Sequence, residues 1–113
     1  MSEEKQLKNI PHAEVVALKD LVEYQKGQIV SRTLAQHPNV TLTLFSFDVG
    51  EGISSHSAPG DAMIQILDGT ARVTIGNSQF DLQTDQSIVM PAGIPHAVEA
   101  TDKFKMLLTL VKA

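Results

Sequence analysis

The chain has no cysteine and no tryptophan, one tyrosine, four phenylalanines and only two arginines. Without cysteine there is no disulfide, no thiolate metal ligand and no cysteine nucleophile. That absence suits a reducing compartment, and the expected location is cytoplasmic. The aromatic side chains, Tyr24, Phe45, Phe47, Phe80 and Phe104, are too few to suggest a base-stacking platform. Arg32 and Arg72 are far apart, the lysines are scattered, and the formal net charge is −4. With no basic stripe, nucleic acid is not an expected partner. No run approaches the ~18 apolar residues of a membrane span. The opening Met1-Ser2-Glu3-Glu4-Lys5 is polar rather than signal-like, so neither membrane insertion nor export is expected. Gly-rich phosphate loops, Gly-x-Ser-x-Gly elbows and cysteine metal knuckles are also missing.

What is present is a length of 113 residues, suited to one domain with one core. Folding at this size buries roughly two-thirds of the unfolded surface. Residues 1–12 read as a polar N-terminal tail and 13–113 as the folded domain. Turn residues recur about every 8–12 positions, the spacing of an antiparallel sandwich or barrel. Glu14–Leu18 is a strand candidate, and Val15–Val22 a candidate short helical turn. Gln28–Leu34 follows a Lys26-Gly27 turn. Val40–Val49 is β-branched and aromatic, the clearest strand signature. Its apolar residues change phase between Leu44 and Phe45, which predicts either a bulge or a strand covered on both faces. Ala62–Leu67, Ala71–Ile75, Phe80–Leu82, Ser87–Met90, His96–Val98 and Phe104–Val111 complete the strands. Asp68-Gly69 and Gly76-Asn77 read as hairpin turns. Pro59-Gly60-Asp61 reads as a tight turn with Gly60 at positive φ and Asp61 as an acceptor.

Two segments carry a more specific signal. Gly50, His56 and Gly69 fall at fixed offsets, as do Pro91, Gly93 and His96. Together they resemble the two motifs of the cupin superfamily, here spanning residues 50–69 and 85–100. The likeness extends over at least residues 40–111. It implies an all-β, antiparallel cupin-type β-barrel, or jelly roll, whose mouth usually holds a metal. His56 and His96 then stand at metal-ligand positions. The chain departs from the pattern at four places. Ala58 replaces the second motif histidine, Ala62 the glutamate, Asp85 a glycine and Ala100 an asparagine.

Strand alternation constrains what could fill the gap. If Ala62 points inward, so do Ile64 and Ile66, while Asp61, Met63 and Gln65 point away. If His96 points inward, so do Val98 and Ala100, and Glu99 points out. Two imidazoles suit zinc, iron, nickel or copper, but a catalytic zinc normally has three protein ligands. The expectation is therefore a degenerate site that holds a divalent metal only weakly. Met90 and Met106 are thioethers on the wall, read as packing residues that copper alone would favour. His56 and His96 read equally as metal-free pocket residues. His12 and His37, each beside a proline, read as surface residues.

Alanine at 58 and 62 clears volume and removes a charge, widening an apolar cavity. His56, Ala58, Ala62, Ile64 and His96 are thus the candidate ligand-binding residues for a small organic molecule. Three functions stay open: a small-molecule-binding barrel, a divalent-metal enzyme of isomerase, decarboxylase or oxygenase type, and an accessory or regulatory protein with an idle barrel. Open sheet edges predict a homodimer, with Val40–Val49 and the N-terminal strands as the candidate interface.

Overall fold

Segments rich in β-branched and aliphatic residues, cut by glycine and proline, become eight strands in a computed structural model that describes residues 6–113. They are β1 (Ile29–Gln36), β2 (Val40–Phe47), β3 (Gly52–His56), β4 (Asp61–Ile75), β5 (Ser78–Gln83), β6 (Ser87–Met90), β7 (His96–Glu99) and β8 (Phe104–Val111). Helix among the described residues is limited to one 3₁₀ turn, Leu18–Leu21. Every pairing is antiparallel. One layer runs β1-β2-β8-β4 and adds β6 beyond the first half of β4. The facing layer is β5, the second half of β4, β7 and β3. The molecule is therefore an all-β curled antiparallel barrel.

β2 resolves the phase change in its sequence. Its register with β8 runs unbroken from Val40↔Val111 to Phe47↔Phe104, so there is no bulge against that strand. Instead both faces are covered. Phe45 and Phe47 point into the main core, while Leu42 and Leu44 join a second cluster on the outside of the barrel. The irregularity in this part of the sheet falls on β1, between Thr33 and Ala35.

The second cluster exists because the N-terminal segment lies across the outer face. Ile10, Leu18, Leu21 and buried Val22 pack on Leu34, Leu44 and Leu107. Polar tethers hold the segment in place. Arg32 Nη1 donates to the Leu21 carbonyl at 2.6 Å, and Ser46 Oγ to the Glu23 carbonyl at 2.7 Å. Tyr24 Oη donates to Asp68 at 2.6 Å, beneath the ammonium groups of Lys103 and Lys105 at 4.8 and 4.9 Å from its ring. Glu14–Leu18 is accordingly not a strand. Val15 is fully exposed and no strand pairs with it; the helical-turn alternative within 15–22 is the one adopted. Of the polar tail, residues 1–5 lie outside the described residues, and Lys8 N–H donates to the Leu34 carbonyl at 2.7 Å. His12 and His37 are exposed, as expected.

Asp68-Gly69 is not a hairpin. β4 runs through it without a break, pairing with β8 up to Gly69 and with β5 from Thr70. Gly69 does have positive φ, 78°. It serves as the corner where one strand leaves the first layer and enters the second. A Cβ there would collide with the Lys103 carbonyl oxygen. Both the conformation and the close approach therefore require glycine. Gly76-Asn77 is a true two-residue hairpin loop, closing Ile75 onto Ser78 with Gly76 at φ 58°. Gly60 also departs from expectation. It is not among the positive-φ glycines, and 59–60 forms a bend. Glycine is needed because a Cβ would strike the Val111 carbonyl. Asp85, which stands where the cupin motif has glycine, adopts φ 73°.

Candidate functional site

His96 begins β7 directly after the Pro91–Pro95 corner. In that corner Ile94 N–H reaches the Pro91 carbonyl at 3.3 Å, and Gly93 supplies a φ of 76°. Gly93 N–H also donates to the Ala58 carbonyl at 2.9 Å, and Ala92 N–H to Asp61 Oδ1 at 2.9 Å. The two motif loops are thus fastened to each other. Asp61 is spent on this bond and serves as an acceptor, as expected, facing away from the barrel.

His56 reaches the same place through an irregularity that the sequence does not display. β3 pairs with β7 as Ile53↔Val98 and His56↔His96. Three steps along β3 thus match two along β7. Simple alternation would put Ile53 and His56 on opposite faces. One extra residue re-phases the strand so that both face inward, which is what a β-bulge does. The rings of His56 and His96 meet edge to face, with centroids 4.5 Å apart.

Behind them is a cavity of about 130 Å³. All five predicted site residues, His56, Ala58, Ala62, Ile64 and His96, line it. Val98, placed inward by alternation, and Met90 and Met106, read as packing residues of the wall, also line it. Ile53, Leu108 and Leu110 are additional. The two leucines were legible as the continuation of Phe104 and Met106 at every second position of β8. Ile53 was not, because the bulge hides it. Alternation holds along β4 and β7: Ile64, Ile66, Val98 and Ala100 are buried and Glu99 is exposed. Among the described residues the wall carries no carboxylate, lysine or arginine.

The protonation pattern of the two imidazoles follows from their backbone partners. His56 Nδ1 lies 3.0 Å from the Ser54 carbonyl, and His96 Nδ1 lies 3.1 Å from the Ile94 carbonyl. A carbonyl only accepts, so each Nδ1 carries the proton. In the neutral ring each Nε2 then presents a lone pair. His96 is buried, and His56 sits exposed at the rim.

The matching family model, the cupin domain, spans residues 43–112. This chain belongs to the cupin family. Its solved relatives include a conserved Streptococcus pyogenes protein of unknown function, 45% identical with a TM-score of 0.96, over 99% of this chain and 98% of that one. A cupin superfamily protein from Desulfitobacterium hafniense is 34% identical with a TM-score of 0.92, over 96% and 100% of the two chains. A cupin 2 conserved barrel domain protein from Leptotrichia buccalis is 48% identical, with a TM-score of 0.82, over 83% of this cupin and 46% of that chain. None of the curated proteins matches it.

Cupins usually hold a metal at this mouth, so the donor set decides whether these residues fit one. Among the described residues no group of three or more His, Cys, Asp or Glu side chains converges. Two neutral imidazoles without a third protein donor do not meet the three-ligand requirement of a catalytic zinc, nor the two-His, one-carboxylate pattern of non-heme iron. The residues of this cupin therefore do not fit a tightly held catalytic metal. Among the described residues, no helix is long and apolar enough to cross a membrane.

Proposed function

We propose that this cupin is a binding module that takes up a small organic molecule in its barrel, oriented by His56 and His96. One observation carries the reading. The positions at which cupins place a second histidine and a glutamate are Ala58 and Ala62, and both open onto a cavity of about 130 Å³ with apolar walls and two imidazoles. A concave apolar space with a few convergent polar groups is the usual form of a small-molecule site. A divalent metal reaches the two imidazoles only at high concentration, because no carboxylate offsets its charge.

Two measurements on untagged protein test this. Elemental analysis is expected to give substoichiometric metal, indifferent to His56→Ala and His96→Ala. A screen of small organic molecules is expected to contain ligands that raise the melting temperature, since a ligand selective for the folded state must stabilise it. One metal per chain, lost in either variant, would replace this reading with the metal-enzyme one. No stabilising ligand in the screen would favour the idle barrel.

The homodimer belongs to the same proposal and narrows to β1. β2 lies inside its layer, and much of its outer apolar face is covered by the chain's own residues 10–22. β1 is an edge strand whose Thr33–Leu34 part is met by Lys8 and Asn9, while its start, with Ile29, is exposed. Light scattering that gives a monomer mass at micromolar concentration would remove the dimer.

A further inference from the structure

We infer that the molecule taken up by this cavity is a neutral hydrogen-bond donor on a single-ring apolar body, of the phenol class. The inference rests on the binding reading above and specifies its ligand. Three observations lead to it.

The first is polarity. Both Nδ1 atoms are committed to backbone carbonyls, so both Nε2 atoms act as acceptors in the neutral rings. Among the described residues neither Nε2 has a hydrogen-bond partner, yet no buried side-chain nitrogen or oxygen is left unpaired. The Nε2 atom of buried His96 must therefore reach accessible space, which the cavity supplies. A ligand group that donates satisfies such an atom; one that only accepts leaves it unpaired.

The second is charge. Among the described residues no lysine or arginine lines the wall, so a carboxylate or phosphate would lose its hydration without gaining a counter-charge. No aspartate or glutamate lines it either, which removes the partner an ammonium group would need. What remains is a neutral donor, of which a ring hydroxyl is the simplest.

The third is size and surface. A cavity of about 130 Å³ is close to the roughly 150 Å³ apolar cavity known to admit benzene. Ile64, Leu108 and Leu110 supply apolar contact area, and Met90 and Met106 add polarisable sulfur that packs well against an aromatic ring. His56 at the rim gives access from solvent, and His96 lies deeper.

Dissociation constants of phenol, toluene, benzene and benzoate are to be measured by NMR titration, on the parent and on His56→Ala and His96→Ala. Toluene is the control, because its methyl group replaces the hydroxyl at nearly equal volume. Phenol is expected to bind and to shift the Nε2 resonances, while toluene leaves them in place. A phenol has one O–H and donates to one ring, so in the variant that removes that ring the ratio of phenol to toluene dissociation constants should move against phenol by about tenfold, the worth of one hydrogen bond of ~1.4 kcal/mol. The ratio cancels any general change in cavity size. If His96→Ala fails to fold, the Nε2 resonance that phenol shifts in the parent still identifies the accepting ring and carries the test. Benzene, toluene and phenol all binding, with no histidine dependence, would overturn the donor inference and leave the binding module standing. Benzoate binding most tightly would overturn it too. No binding of any probe at millimolar concentration would overturn this inference and the cavity reading together.

Discussion

The two ends of the barrel share the long strands β4 and β8 and are filled differently. At one end β2 and β8 bring Phe47 and Phe104 together as register partners, stacked at 4.5 Å and fully buried. At the other end β4 and β6 pair Ala62 with Met90, β3 and β7 pair His56 with His96, and the space between them stays open. One end is closed by large side chains in contact, and the other is kept hollow by alanine. Stability and binding should therefore separate along the barrel axis.

Substitutions can break this contrast. Phe104→Ala should cost about 3–5 kcal/mol, the usual loss for a buried phenylalanine. At the hollow end Ala62→Val should change stability by less than ~1 kcal/mol, because its methyl groups enter existing space, yet weaken ligand binding. Denaturant unfolding of both variants checks this; equal losses would mean that the cavity wall is as tightly packed as the aromatic end. Gly69→Val, at the corner of the closed end, should cost on the order of 3 kcal/mol from positive φ and the clash with Lys103. A melting temperature equal to the parent's would contradict the corner geometry. The double substitution Ala58→His and Ala62→Glu should convert the hollow end into a metal site, raising zinc affinity on the order of a hundredfold or more. Competition with a colorimetric chelator reads that change.

Smaller effects sharpen the contrast. Tyr24→Phe removes the hydrogen bond to Asp68 near the corner and should cost about 1 kcal/mol. Partial burial, and then Asp68, push the Tyr24 hydroxyl above the ordinary tyrosine range. A raised pKa contributes stability that is fully present below the unfolded value, near 10, and is lost as pH rises through the folded one. The parent should therefore lose stability above about pH 10, and Tyr24→Phe should flatten that loss in unfolding measured at successive alkaline pH values. Asp85→Gly should stabilise by about 0.5 kcal/mol, since aspartate tolerates positive φ less well than glycine. A small rise in melting temperature, with ligand binding unchanged, is the expected result.

The two-faced apolar pattern of β2 was visible in the chain, but choosing between bulge and double burial needed the N-terminal segment on the outer face. The positive φ of Gly69 was visible too. An Asp-Gly pair looks the same locally in a hairpin and in a strand corner, and only pairing with β8 and then β5 distinguishes them. His56, Ala58, Ala62, Ile64 and His96 were placed at one wall by motif spacing and alternation. Ile53 escaped because an extra residue in β3 shifts its phase. A bulge is recorded in the register between strands, and no single strand carries it.

By itself the sequence determined an all-β barrel, most of its strands, the cupin resemblance and the loss of two ligand positions. Each of these depends on local periodicity or on residue identity at a fixed offset. The tertiary structure decided that β4 spans both layers, that the rings of His56 and His96 meet, and that a cavity lies behind them. Those features depend on which strands become neighbours and in what register, and contacts between residues distant in sequence set that.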